Sequence, residues 1–295
     1  MSRPRALVRE AALVLEAAGV ASPEHDAAEL LAHVTGVPRA RLPLLDAVEP
    51  EQAVRYDALV RRRAGREPLQ HLTGTAFFRH VGLAVGPGVF VPRPETELLA
   101  GWAVDRVVER SSRPPDAVAQ IRRPVVVDLC TGSGAIALSL ADELPGRGVD
   151  AEVHAVELGE DAHAWATRNL AGTGVDLRLG DMDGSFPDLD GRVDVVVCNP
   201  PYIPLTEFEG VAAEARDHDP ALALWSGDDG LDAMRVLERT AARLLAPGGW
   251  MGAEHADVQG DSAVAVFAAT GRWTEVRDHR DLAGRPRFVT ARLAR

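Results

Sequence analysis

Apolar residues recur at helical spacing from about Pro4 to Gly65 and in short β-branched runs after Val125. Ala6, Leu7, Leu13, Val14 and Ala17 supply the stripe of a first helix, stopped by Gly19. Ser22-Pro23-Glu24 opens a second, with Ser as N-cap and Pro in the first turn; it runs through Leu30, Leu31 and Val34 to Gly36. A third extends from Pro50 to Arg63 and ends at Gly65. From Gln70 to Val91 the pattern changes to extended pieces punctuated by Gly74, Gly82, Gly86 and Gly88, which predicts a β-hairpin. A helix carrying Leu98, Leu99, Trp102, Val104 and Val107 follows, then a polar, proline-containing linker from Ser111 to Pro124.

After Val125 strands and helices alternate. Strands are expected at Val125–Leu129, Glu152–Val156, Asp176–Leu179, Val193–Cys198 and Trp250–Glu254. Helices are expected over Ala135–Leu144, Asp161–Leu170, Leu231–Leu245 and Ser262–Ala269. This order gives an α/β fold, a largely parallel sheet with helices on both faces. The last two extended segments, Thr274–His279 and Arg287–Leu293, are joined through Gly284, which suits antiparallel pairing at one edge.

The sharpest local signal is Val193-Asp194-Val195-Val196-Val197-Cys198-Asn199-Pro200-Pro201-Tyr202. A β-branched run broken only by Asp194 suits a strand covered on both faces. Pro200 and Pro201 lack backbone donors, so the ladder stops there and Asn199 and Tyr202 stand at the carboxyl edge, where open α/β sheets bind ligands. The Asn199 side-chain oxygen and the Pro200 carbonyl are both acceptors, suited to holding the two hydrogens of an –NH₂ group. Tyr202 offers a plane for an amide or a base to stack on. A carboxylate would meet oxygen with oxygen and be repelled. Read alone, the tetrapeptide is also compatible with a structural cap on a proline-ended strand.

A second signal lies upstream, where Asp128-Leu129-Cys130-Thr131-Gly132-Ser133-Gly134 follows one strand and opens a helix. Gly132-x-Gly134-x-x-Ala137 with Glu157 downstream satisfies the dinucleotide fingerprint, so a nicotinamide enzyme is a rival reading. Asp128 counts against it, since a carboxylate there repels a pyrophosphate and suits the ammonium of a methionine moiety. Glu157 would accept from both ribose hydroxyls, Asp181 from an adenine amino group, and Met182 would lie against the base. As helix caps, Glu157 and Asp181 would need no ligand. An acidic rim of Asp128, Glu157 and Asp181 suits a sulfonium.

Composition narrows the classes. The 295 residues accommodate one large α/β domain and a smaller one. A net charge of −12 disfavours a surface that tracks nucleic-acid phosphates. No apolar run is long enough to span a membrane, and Met1-Ser2-Arg3-Pro4 does not open a signal peptide. Cys130 and Cys198, both expected as small buried residues at strand ends, lack metal-ligand spacing and fit a reducing cytoplasm. No lysine occurs. Arg61-Arg62-Arg63 with Arg66 reads as a solvated helix end favoured by the macrodipole, with docking of an acidic partner as the other reading. His255, after the fifth strand, reads as structural.

Taken with these signals, Glu67-Pro68-Leu69-Gln70-His71-Leu72-Thr73-Gly74, Val91-Pro92-Arg93-Pro94-Glu95-Thr96-Glu97, Asp219-Pro220-Ala221-Leu222 and Gly227-Asp228-Asp229-Gly230-Leu231 make nearly the whole chain resemble the HemK-type (PrmC) glutamine N5-methyltransferases. Asp128 to Leu140 resembles that family's methyl-donor loop and Asn199-Pro200-Pro201-Tyr202-Ile203-Pro204 its substrate motif. The resemblance implies a seven-stranded Rossmann-like class I methyltransferase sheet. It implies S-adenosylmethionine as cofactor and the glutamine of the Gly-Gly-Gln loop of bacterial peptide-chain release factors as substrate. It also implies a helical substrate-docking domain over 1–68, a β-hairpin connector over 69–92 and a catalytic domain over 93–295. Two departures stand out: Cys130 where the family often has glycine, and Met182 where some members carry tryptophan. A glutamine methyltransferase of a ribosomal protein would share the chemistry. Adenine N6-methyltransferases of nucleic acid share Asn-Pro-Pro-Tyr. A protein that binds donor without turnover is the non-enzymatic alternative.

Overall fold

The computed structural model describes residues 3–112 and 122–295. Of the linker expected from Ser111 to Pro124, residues 113–121 lie outside the described part. The chain forms two compact units.

The first unit runs through Thr75 and takes in Val85–Pro87 and Val211–Asp219. Its helices are α1 (Pro4–Ala17), α2 (Pro23–Thr35), α3 (Pro50–Ala64) and the short α4 (Leu69–Thr73). Each of the first three begins with proline, whose missing N–H would be unpaired there in any case. Leu15, Leu30, Leu31, Tyr56, Val60 and Leu72 form the core. The Tyr56 hydroxyl donates to the Ala27 carbonyl at 3.0 Å, and burial raises its pKa well above the phenolic range.

Three expectations fail here. The face α1 buries is Pro4, Ala11, Ala12 and Leu15, while Leu13 and Val14 are 61% and 49% exposed. Ala11 to Leu15 is apolar throughout, so the spacing could not select the inward face; packing on α2 and α3 did. Leu69–Thr73 is helical, not extended: Pro68 precedes the turn and Gly74, at φ 76°, ends it. The arginine run is not wholly solvated. Arg61 and Arg62 are exposed, but Arg63 is buried, donating to Asp26 Oδ2 at 2.8 Å and Glu214 Oε1 at 3.0 Å. Arg66 donates to Glu214 Oε2 at 2.6 Å.

The second unit contains the hairpin β1 (Thr75–Phe78) and β2 (Val81–Ala84), apart from Thr75 itself, and α5 (Thr96–Ser111). The chain then alternates through β3 (Val125–Leu129), α6 (Ala135–Gly146), β4 (Glu152–Glu157), α7 (Glu160–Asn169), β5 (Asp176–Leu179) and β6 (Val193–Cys198). After β6 come two short helices, α8 (Ala213–His218, in the first unit) and α9 (Ala221–Leu224), then α10 (Asp232–Leu244). The unit closes with β7 (Leu245–Glu254), α11 (Gly260–Ala268), β8 (Trp273–Arg280) and β9 (Pro286–Leu293). The seven-stranded sheet has the order β5-β4-β3-β6-β7-β9-β8. β5 through β7 are parallel, and β9 pairs antiparallel with both β7 and β8, as the Gly284 connection suggested.

Every residue of β3 and β6 is buried, which is why both read as β-branched runs. Asp194 survives inside β6 because four donors meet it: Arg110 Nε, both terminal nitrogens of Arg122, and the Val125 N–H, at 2.8–2.9 Å. Leu129, Val196, Leu237, Met251 and Phe267 belong to one core. Burying a side chain such as Leu237 contributes about 2 kcal/mol before ordering costs.

Candidate active site

β4 and β5 step outward from one side of β3, while β6 returns to its other side. The loops after β3 and β6 therefore flank the point where strand order reverses, the usual ligand crevice of such sheets. Leu129 pairs with Cys198, which sets the Asp128–Gly134 loop beside the Asn199 turn.

The first loop is braced by carboxylates. Buried Asp128 accepts from the Thr131 hydroxyl at 2.5 Å and the Ala137 N–H at 3.1 Å, both on Oδ2. Its Oδ1 is buried with no partner among the described residues. Burial pushes the Asp128 carboxyl up to about 7 against those two hydrogen bonds. Glu157 accepts from the Gly132 N–H on Oε2 and the Gly159 N–H on Oε1, each at 2.8 Å. Its oxygens keep lone pairs for further donors. Gly134 has φ 85°, and a Cβ there would meet Leu170 Cγ at 3.1 Å. Gly132 has nothing within 4 Å of its Cβ position, so the loop borders open space. Thr131 and Ser133 are buried, and the Ser133 carbonyl accepts from Asn169 Nδ2 at 2.9 Å.

Cys130 is partly buried with φ 59°, a left-handed conformation that favours glycine, whereas Cys198 is fully buried. Cys130 Sγ lies 3.8 Å from Met182 Sδ, and Met182 is buried in the core. Asp181 is exposed beyond β5, its Oδ1 accepting from the Asp183 N–H at 2.9 Å. The three carboxylates thus stand at three adjacent strand ends, but Asp128 and Glu157 already brace the loop.

The second loop is held from several sides. Asn199 donates through Nδ2 to Thr96 Oγ1 at 3.3 Å, leaving Oδ1 as the acceptor it can offer a ligand. Thr96 donates to Glu254 Oε2 at 2.6 Å, and the Tyr202 hydroxyl donates to Glu254 Oε1 at 3.2 Å. Burial pushes the Glu254 carboxyl up to about 7 and, with Glu254 beside it, keeps the Tyr202 phenol protonated far above the ordinary range. Gln259 Nε2 donates to the Tyr202 carbonyl at 3.0 Å and the Asp229 carbonyl at 3.2 Å. Ile203 accepts from Ser226 N and donates to the Leu224 carbonyl, tying the Asn199–Tyr202 turn to the segment before α10. His255 is buried, its Nδ1 against the Ala256 carbonyl and its Nε2 against Asp278 Oδ1, a structural arrangement.

Sequence reasoning named neither Thr96 nor Glu254 as part of the site. The sequence holds one signal, an acid at the end of the strand Trp250–Glu254; the folded sheet then pairs Cys198 with Ala253 and sets Glu254 level with Asn199. Thr96 stands out only as part of the family-like segment 91–97, with nothing local to direct it at the Asn199 turn.

Residues 6–74 match the PrmC N-terminal domain and residues 126–218 a methyltransferase domain. The chain is 56% identical to the release factor glutamine methyltransferase of Streptomyces coelicolor, over 97% of both chains. The chain belongs to the release factor glutamine methyltransferase family. The family member from Mycolicibacterium smegmatis is 46% identical over the full length of both chains. A 4-amino-L-phenylalanine/4-methylamino-L-phenylalanine methyltransferase of Streptomyces pristinaespiralis is also 46% identical, over 75% of this chain and 72% of its own. Family membership sets aside the nicotinamide reading of the glycine loop. Among the described residues no helix is long and apolar enough to cross a membrane.

Proposed function

We propose that the protein transfers a methyl group from S-adenosylmethionine to the side-chain amide nitrogen of the glutamine in the Gly-Gly-Gln loop of peptide-chain release factors. One observation carries the reading: the Asn199 Nδ2 donates to Thr96 Oγ1, which turns the nitrogen side of the carboxamide toward Thr96 and leaves Oδ1 as the acceptor to set beside the Pro200 carbonyl. Two acceptors at the end of β6 suit an uncharged –NH₂ and reject a carboxylate. The residues also fit the donor. Asp128 Oδ1, buried with no partner among the described residues, suits a cationic amine, and the Cβ position of Gly132 meets nothing within 4 Å. In this reading Glu157 would accept from the ribose hydroxyls and Asp181 from the adenine amino group, with Cys130, Thr131, Ser133 and Met182 also contributing to donor binding.

When bound, the donor supplies an electrophilic methyl group. The chain's residues do the rest by orientation. An amide nitrogen is a weak nucleophile because its lone pair is delocalised. Asn199 Oδ1 and the Pro200 carbonyl would grip its two hydrogens, and Tyr202, held by Glu254, would fix the amide plane. The nitrogen becomes strongly acidic on alkylation and releases its proton without a dedicated base. The helical unit would dock the protein substrate, with the hairpin as connector. Cys130 and Cys198 are free thiols, in keeping with work in the cytoplasm beside the translation machinery.

The test is incubation with labelled donor and purified release factor, followed by mass spectrometry of the Gly-Gly-Gln peptide. One methyl group on that glutamine is expected. Asn199→Ala should abolish it while donor binding persists. Label on nucleic acid or on a ribosomal protein, with the release factor unmodified, would overturn the assignment.

A further inference from the structure

Asn199 carries an isosteric ambiguity. A half-turn of its carboxamide exchanges oxygen for –NH₂ with almost no change of shape, and only one orientation serves an –NH₂ substrate. Something must decide between them. The structure holds a chain of hydrogen bonds whose sense is set at one end: Asn199 Nδ2 donates to Thr96 Oγ1, and Thr96 donates to Glu254 Oε2. A hydroxyl has a single proton. While the carboxylate takes it, the Thr96 oxygen can only accept from Asn199. The other carboxylate oxygen accepts a hydrogen bond from the Tyr202 hydroxyl. Glu254 is 1% exposed, so no solvent competes for either bond.

We propose that Glu254, acting through Thr96 and on Tyr202, is the positioning residue that fixes the direction of the Asn199 carboxamide and, by its charge, reinforces selection of glutamine over glutamate. The inference rests on the functional reading above. Ionised Glu254 permits only the Glu254 ← Thr96 ← Asn199 sense. A glutamine at 254 could donate to Thr96 through its amide nitrogen, freeing the hydroxyl to donate to Asn199 Oδ1 and turning the wrong face to the substrate. The buried negative charge behind Asn199 and Tyr202 also opposes a second carboxylate in the pocket.

The charge is itself subject to pH. Burial raises the Glu254 pKa and Glu95 adds to the rise, while Arg287 from β9 and the hydrogen bonds from Thr96 and Tyr202 oppose it. Protonation on Oε2 would let Thr96 reverse; protonation on Oε1 would release Tyr202.

The experiment uses the full chain with purified release factor at saturating donor and compares wild type, Glu254→Gln, Thr96→Val and Thr96→Ser. Glu254→Gln and Thr96→Val should lower kcat by roughly 10- to 100-fold, as small misplacements of reacting groups do. Thr96→Ser keeps the hydroxyl and should recover most of the loss, which a purely steric role for Thr96 would not predict. Donor affinity, measured by calorimetry, should stay within about twofold for all four. Binding of two peptides, one with the target glutamine and one with glutamate in its place, provides a second readout. Wild type at about pH 8 should prefer the amide by tenfold or more, and Glu254→Gln should narrow that gap. Below about pH 7 the wild-type kcat should fall, and Glu254→Gln should flatten that limb. A Glu254→Gln enzyme with wild-type kcat and an unchanged preference overturns the role of Glu254 alone. Wild type that leaves the release factor unmethylated overturns the substrate reading beneath it.

Discussion

Gly230→Ala tests how far the active turn depends on the segment packed behind it. Gly230 sits at φ 75°, and a Cβ there would lie 2.3 Å from the Tyr202 carbonyl oxygen, 2.6 Å from Gln259 Nε2 and 3.0 Å from Pro204 Cδ. The left-handed backbone alone costs an L-residue about 1 kcal/mol. Relieving the overlap would push Gln259 from the Tyr202 and Asp229 carbonyls, about 1 kcal/mol for each bond. Residual overpacking adds about 1–3 kcal/mol. Together these come to about 4–6 kcal/mol, enough to displace the Asn199–Tyr202 turn. The donor loop is built from other residues, Thr131, Ala137 and Gly132 bonding to Asp128 and Glu157. The expected result is therefore a lower melting temperature and a kcat reduced about 100-fold, with donor affinity close to wild type. Thermal melting, steady-state methylation of release factor and calorimetric donor titration measure the three quantities. Unchanged melting and kcat would refute the packing argument, and equal loss of donor affinity would refute the independence of the two loops.

Asp128 has a folded-state pKa of about 7 against an ordinary aspartate value near 4. The stability it contributes is full below the unfolded pKa and is lost as pH rises through about 7. Asp128→Asn should accordingly stabilise the ligand-free protein above about pH 7, by at most on the order of 4 kcal/mol, and leave it little changed near pH 4; denaturant melts at both values decide it. Arg63→Ala strands the buried carboxylate of Asp26 and leaves Glu214 with Arg66 as its remaining partner, and should cost the helical unit about 3 kcal/mol, seen as an earlier unfolding transition. Cys130→Gly removes a side chain from a left-handed backbone position and should raise the melting temperature slightly, corresponding to about 1 kcal/mol or less, with Ala at the same position giving no such gain.

What the sequence determined by itself was most of the strands and long helices and several of their ends, though not the helical turn Leu69–Thr73, the short helices α8 and α9, or the early start of β7 at Leu245. Val193–Cys198 and Asp176–Leu179 have the limits their patterns implied, and α3 ends beside Gly65 as expected, because β-branched runs, prolines and glycines act through the local backbone. The two loops that carry the chemistry were legible for the same reason. Tertiary structure decided whatever depended on a partner far along the chain. The inward face of α1 lay hidden in an all-apolar stretch until its neighbours chose it. Arg63 looked like one more surface charge until Asp26 and Glu214 closed on it. Thr96 and Glu254, 158 positions apart, meet only because α5 and the end of β7 are brought together by the folded sheet. A local pattern specifies which conformation a segment takes; which side chains share a buried charge or a proton is set by close approach, and that exists only once the sheet has formed.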